Sequence, residues 1–210
     1  MIKILVADDH AIMRRGLKEI LVRELKEVKC GEAENAEQLL ELVRKQAWDL
    51  VILDVSMPGR SGLDVLADLR KAQPKLPVLV LSMHPENQLA KRALKAGASG
   101  YMNKEAAPEE LIRAIQKVLA GGLYVSPVLA ERLAVDVRDG TGGPLHEALS
   151  NREFEVLRML ASGKTVTQIA DELHLSVATV STHRARILEK MDMTTTAELI
   201  RYAVRNNLVD

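Results

Sequence analysis

The sequence has a single cysteine, Cys30, so no disulfide can close within the chain, and this suits a reducing cytosol. It has no net charge: Lys+Arg and Asp+Glu stand at 29 each. A balanced chain advertises no partner as a whole. A nucleic-acid binder of this composition must gather its basic residues locally. No apolar run approaches the length that spans a bilayer, and the first residues enter a charged strand with no signal-peptide layout. No G-x-G-x-x-G follows the first apolar run, which argues against a Rossmann nucleotide binder. The expectation is a soluble cytoplasmic protein with no membrane partner.

What the chain does have is alternation. Its 210 residues, 47% of them apolar, suffice for one large domain or two small ones. Short aliphatic runs at Ile2–Ala7, Leu50–Leu53 and Val78–Leu81, with weaker ones at Val28–Ala33 and Ser99–Met102, predict five strands. Amphipathic stretches at 10–26, 36–46, 63–71, 86–96 and 108–120 predict helices between and after them. Five strands alternating with five helices imply an α/β fold, a doubly wound five-stranded parallel sheet covered on both faces. Such sheets place their sites at the carboxyl ends of the strands.

Gly121-Gly122 ends this pattern, Ser126-Pro127 can open a short helix, and "RDGTGGP" (Arg138–Pro144) reads as a flexible linker. Beyond it only helical periodicity remains. Four short helices are expected over 151–161, 166–173, 177–191 and 196–206, with capping-box spacings at Ser150/Glu153 and Thr195/Glu198. The expected layout is residues 1–121 as the α/β domain, 122–147 as a linker with a short helix, and 148–210 as a second, small all-α domain.

Asp8 and Asp9 end the first strand and Asp54 ends the third, where a parallel sheet makes them neighbours. Ser82 ends the fourth strand and Lys104 follows the fifth. A lone Asp at a strand end is usually a cap or turn former, and a lone lysine is usually solvated. Five such residues at matching strand ends form a constellation. Adjacent buried carboxylates repel, and a hard divalent cation such as Mg²⁺ answers that charge with oxygen ligands. The lysine and the hydroxyl are left to hold an anion.

Residues 1 to about 120 resemble the receiver domain of two-component response regulators, through "ADDH", "ILDVSMPGRSGLDVL", "VLVLSMH" and "GASGYMNKE". The resemblance implies a flavodoxin-like receiver with Asp54 as phosphoacceptor. It implies Mg²⁺ held by Asp9, Asp54 and the backbone carbonyl of Ser56, with Asp8 acting through water. Ser82 and Lys104 would contact the phosphoryl oxygens, and Tyr101 falls at the aromatic switch position. One departure is Glu105, which follows Lys104 where many receivers have proline.

From Leu149 onward the chain resembles the LuxR-type helix-turn-helix of the NarL/FixJ response regulators, through "LSNREFEVL", "IADELHLS" and "TVSTHRARILEKM". On a helical projection of 177–191, Val177, Val180, Ile187 and Met191 fall on one side, expected to be core. Ala178, Ser181, Thr182, Ala185 and Glu189 fall opposite, small enough to enter a major groove. Hydroxyls of Ser181 and Thr182 can meet base edges, and the Thr182 and Ala185 methyls can pack on thymine. Thr179, Arg186 and Lys190 flank that face and suit phosphates. Arg184 is expected at the core edge with its tip reaching a phosphate, and His183 in the core or on a phosphate. Many relatives have lysine where this chain has Ser181.

Together these features imply a response regulator that is not itself classed as an enzyme. A sensor histidine kinase would supply the phosphoryl group, and double-stranded DNA would be bound by a homodimer of the phosphorylated chain. One rival is a Mg²⁺-dependent phosphohydrolase of the haloacid-dehalogenase type. That class expects a second Asp two residues after the nucleophile, whereas Asp54 is followed by Val55 and Ser56. The other rival is a phosphorylation-gated protein-binding module with no DNA target.

Overall fold

The computed structural model of the protein describes residues 1–57, 60–83, 86–139 and 144–209. The chain divides into two compact units, Met1–Ala134 and Val135–Asp210.

The first unit contains five strands, β1 (Ile2–Ala7), β2 (Val28–Ala33), β3 (Leu50–Asp54), β4 (Val78–Ser82) and β5 (Gly100–Asn103). All neighbours pair in parallel, in the order β2-β1-β3-β4-β5. Helices α1 (Ala11–Glu24), α2 (Ala36–Lys45), α3 (Gly62–Ala72), α4 (Glu86–Lys95) and α5 (Pro108–Leu119) follow the strands in turn. This is the doubly wound parallel sheet the alternation predicts. Strand order reverses between β1 and β3, and such a switch point opens a crevice beyond the carboxyl ends of those strands.

Every residue of β3 and β4 is buried, as expected of central strands covered on both faces. On one face Ile4, Val6, Leu50, Ile52, Leu79 and Leu81 pack with Leu17 and Leu21 of α1 and Leu111, Ile115 and Val118 of α5. Residues between them in sequence, Leu5, Val51, Leu53 and Val80, point to the opposite face and are also buried. Each such side chain contributes about 1.5–3 kcal/mol by leaving water. This double-sided core fixes where the strand ends emerge.

The outer edge of β5 is covered by the segment after α5. Tyr124 donates its N–H to the Ser99 carbonyl at 3.0 Å and accepts from the Tyr101 N–H at 3.2 Å. Gly100 permits this approach: a Cβ there would lie 2.9 Å from the Tyr124 carbonyl oxygen. The Tyr124 hydroxyl donates to Glu110 at 2.7 Å. Covering an edge strand in this way blocks edge-to-edge pairing.

Next comes α6 (Pro127–Asp139), whose first turn is capped by the Ser126 hydroxyl accepting the Leu129 N–H at 3.2 Å. Most of the glycine-rich stretch Arg138–Pro144 lies outside the described residues. A 3₁₀ turn at Leu145–Ala148 leads into α7 (Asn151–Ala161), α8 (Val166–Glu172), α9 (Val177–Lys190) and α10 (Thr196–Arg205). Both expected capping boxes form, and a third joins Thr165 to Gln168. His174 turns the chain between α8 and α9 with a φ of 52°. Phe154, Leu157, Ile169, Val180, Ile187, Met191, Leu199 and Ala203 make the core of this unit. Val177, expected inside, is 48% exposed. Among the described residues, no helix is long and apolar enough to cross a membrane.

Candidate functional site

Parallel pairing sets Ala7 beside Leu53, so Asp8 and Asp54 emerge together at the switch point. Lys104, one residue beyond β5, places its Nζ 2.6 Å from Asp8 Oδ2 and 2.7 Å from Asp54 Oδ2. The three side chains are only 4%, 2% and 0% exposed, so one ammonium serves two carboxylates almost without water. Burial pushes the Asp54 carboxyl above its ordinary pKa. Lys104 and the Ser56 amide pull against that shift, and the Asp8 charge adds to it. For Lys104, burial opposes the charged form, but the Asp54 and Asp8 carboxylates outweigh it and raise its pKa.

The acids are held by their surroundings. The Ser56 N–H donates to Asp54 Oδ1 at 2.9 Å, and the His10 N–H donates to Asp8 Oδ1 at 2.8 Å. Buried Arg14 of α1 donates to the Asp8 carbonyl at 2.7 Å and to Glu34 at 2.6 Å. Gly62 lets α3 start against the backbone beside Asp54: a Cβ there would meet Val55 Cα at 2.4 Å. Ser82 is wholly buried at the end of β4, and its carbonyl accepts the Lys104 N–H at 2.9 Å. Tyr101 is wholly buried in β5.

In the second unit, α9 rests on α7 and α8 through Val180 and Ile187, and its opposite face is open. Ala178, Thr179, Thr182, Ala185, Arg186 and Glu189 are exposed, and Ser181 is half-buried. The Ser176 hydroxyl accepts the Thr179 N–H at 3.0 Å and starts the helix. The Thr182 hydroxyl donates back to the Ala178 carbonyl at 3.0 Å, and the residue is exposed. Lys190 lies 2.7 Å from Glu153 Oε2, so its charge is engaged by α7.

The receiver-domain family of response regulators matches residues 4–116, and the luxR family of bacterial regulatory proteins matches residues 147–203. The response regulator GacA of Pseudomonas aeruginosa is 39% identical over 213 residues, spanning 100% of this chain and 99% of its own. The chain belongs to the two-component response regulators of the NarL/FixJ type. The response regulator UvrY of Escherichia coli K12 is 34% identical over 211 residues, spanning 99% of this chain and 96% of its own. RcsB from Salmonella enterica serovar Typhimurium, solved bound to the promoter rprA with the phosphomimetic BeF₃⁻, matches the regulator at a TM-score of 0.65 and 28% identity. That likeness spans 96% of this chain and 97% of that one.

The residues of the receiver fit a hard divalent cation. Asp8, Asp9, His10 and Asp54 bring ligand atoms within 4.8 Å of one another, and the three carboxylates offer oxygen, the donor Mg²⁺ prefers. Asp9 Oδ1 is buried without a hydrogen bond; His10 Nδ1 is 3.0 Å away but outside hydrogen-bonding geometry.

One placement on α9 differs from the sequence reading: Val177, expected in the core, is exposed, on the flank that also carries exposed Arg184. That flank is left uncovered by the neighbouring helices, which the projection of one isolated helix does not show. His183 is half-buried, and its Nδ1 is enclosed without a hydrogen bond. Burial, then the charges of Arg152 and Arg186, lower its pKa against the pull of Glu153. Arg14, His10 and Gly62 were not singled out from the sequence. Of these, only the "SGLDVL" glycine carried a local signal, as a small residue at a strand-to-helix turn.

Proposed function

We propose that this regulator takes a phosphoryl group on Asp54 and that the modification governs DNA binding by its luxR-type domain. The observation that carries the reading is Lys104 bridging Asp8 and Asp54, in a chain whose second domain belongs to a DNA-binding family. An Asp54 carboxylate oxygen attacks the phosphorus of a kinase phosphohistidine. The P–N bond breaks, and its electron pair leaves with the imidazole. Asp8, Asp9, Asp54 and the Ser56 carbonyl would hold Mg²⁺, with Asp8 acting through water. When bound, the ion supplies charge neutralisation between these acids and the incoming phosphoryl oxygens. Lys104 exchanges part of its pairing with the acids for a phosphoryl oxygen, and Ser82 donates a hydrogen bond to another.

Phosphorylation adds about −1.5 to −2 charges at this edge. That charge acts on DNA by shifting which conformation or assembly is populated. Ser82 and Tyr101 are the proposed relay. The Tyr101 ring is already buried, so its part would be a change of packing. Paired phosphorylated chains would then present two α9 helices to a major groove. Thr182, Ser181 and Ala185 would meet base edges, with Thr179, His183, Arg184 and Arg186 toward phosphates. Lys190 was expected there too, but its pairing with Glu153 supports a structural role better. The regulator would act in the cytoplasm as a DNA-binding switch and not as an enzyme.

Incubation with Mg²⁺ and a small phosphodonor should add one acid-stable, base-labile phosphoryl group. Asp54→Asn should abolish it and Asp9→Ala should weaken it. Full labelling of the Asp54→Asn protein at another residue would contradict the assignment.

A further inference from the structure

Lys104 has to present its ammonium between two buried carboxylates, yet it sits where the chain leaves β5 and turns toward α5. Three hydrogen bonds define that turn. The Lys104 N–H donates to the Ser82 carbonyl at 2.9 Å, and the Ala106 N–H donates to the Asn103 carbonyl at 3.1 Å. The third comes from a side chain: Asn103 Oδ1 accepts the Glu105 N–H at 2.9 Å. Asparagine suits this closure because its short carboxamide reaches the amide two residues on. Lys104 lies inside both rings, with its own amide tied to β4.

We propose that Asn103 is a positioning residue for the phosphoryl chemistry at Asp54. Its carboxamide locks the 103–106 turn and thereby aims Lys104 at Asp8 and Asp54. The proposal rests on the reading of Asp54 as phosphoacceptor. It also accounts for Glu105, which stands where many receivers have proline. Proline has no N–H and cannot donate to Asn103. Glu105 supplies that N–H, while its side chain is exposed, so the backbone and not the carboxylate is what the turn uses. With the turn closed, Lys104 reaches both carboxylates at hydrogen-bond distance without a proline behind it. Alanine at 103 has no acceptor, and the turn would keep only its main-chain bonds.

The test compares full-length Asn103→Ala, Asn103→Ser, Lys104→Ala and the Asn103→Ala/Lys104→Ala double variant with the parent chain. Asn103→Ala should slow phosphorylation by acetyl phosphate in Mg²⁺ about tenfold, less than the roughly hundredfold cost of a full ~1 Å misplacement. Its Mg²⁺ affinity, measured by calorimetry without phosphodonor, should not fall, because every acid that would hold the ion is kept and a loosened Lys104 competes less for them. Asn103→Ser, which keeps a weaker acceptor, should recover most of the rate. In the Lys104→Ala background Asn103→Ala should have no further effect, because a positioning residue has nothing left to position. An Asn103→Ala chain phosphorylated at the parental rate would overturn the proposal. So would the same loss persisting without Lys104, or a failure of serine to rescue. Urea unfolding of the four variants and the parent reads the coupling without any phosphoryl transfer. Non-additive losses at 103 and 104 support the turn, and additive ones overturn it. Should the parent chain instead carry its label away from Asp54, the phosphoacceptor reading fails while the unfolding cycle still decides the role of Asn103.

Discussion

Asp54 in the receiver and Glu153 in the output domain are both buried carboxylates paired with a lysine, and their pKa values move in opposite directions. For Asp54 burial dominates and raises the value. For Glu153 burial also pushes upward, but Lys190 at 2.7 Å and the Ser150 N–H at 2.8 Å outweigh it and lower the value. The difference lies in depth and in sharing: each acid has one lysine and one backbone amide, but Lys104 is 4% exposed and serves two acids, whereas Lys190 is 40% exposed and serves Glu153. Glu153 is a satisfied acid in a capping box, with its lysine at the water boundary. Asp54 shares one buried ammonium with Asp8 and sits among acids whose demand for positive charge is not met by protein alone. Unmet charge in one domain is where chemistry can occur, and met charge in the other holds α7 to α9.

The sharpest way to break this contrast is to remove each lysine. Lys104→Ala leaves buried acids facing one another, and about 3–5 kcal/mol of receiver stability should be lost in metal-free urea unfolding, the cost of stranding a buried charge. Millimolar Mg²⁺ should recover part of it by binding the folded acids. Lys190→Ala should cost about 1–2 kcal/mol, because the Ser150 N–H remains on Glu153 and the lysine is partly exposed. Equal losses in the two domains would remove the distinction drawn between them.

The second contrast is between a buried candidate site and an open one. Substitutions on the outer face of α9 should change binding and leave stability within about 0.5 kcal/mol. Thr182→Ala should shift base preference by about 1–3 kcal/mol at one position. Arg186→Ala should weaken all sequences alike and reduce the salt slope by about one unit. Indistinguishable profiles across a sequence library would mean that α9 does not enter the groove by this face.

A smaller effect should appear with acid. Because the folded-state pKa of Glu153 is depressed, its contribution is fully present above the unfolded carboxylate value of about 4.3. It is lost as pH falls below that value through the lower folded pKa. The isolated output domain should therefore lose stability in this window, and Glu153→Gln should flatten the dependence. A slope unchanged by the substitution would assign the acid sensitivity elsewhere.

Much of this was legible in the sequence, and the reasons are physical. Apolar runs marked β1, β3 and β4 strongly and β2 and β5 weakly, period-3.6 stretches marked the helices between them, and acids and a lysine at the strand ends marked the groups that the sheet brings together. The capping boxes at Ser150 and Thr195 were legible because they are local. Contacts that depend on distant chain were not. Arg14 sits in a helix like any surface arginine, and only the sheet makes it a clamp on Asp8 and Glu34. Tyr124 follows a double glycine and reads as linker, yet it pairs with β5. Lys190 looks like a free cation until Glu153, 37 residues earlier, is placed beside it.

The central claim is that phosphorylation of Asp54 controls DNA binding, and one titration tests it directly. The full chain and its Asp54→Asn variant would be titrated on the same regulator-selected duplex, each with and without acetyl phosphate, at fixed Mg²⁺ and salt. The account predicts that phosphodonor tightens binding by the parent chain and leaves the variant unchanged. Equal tightening of both, or no change in a parent chain shown to be phosphorylated at Asp54, would contradict it.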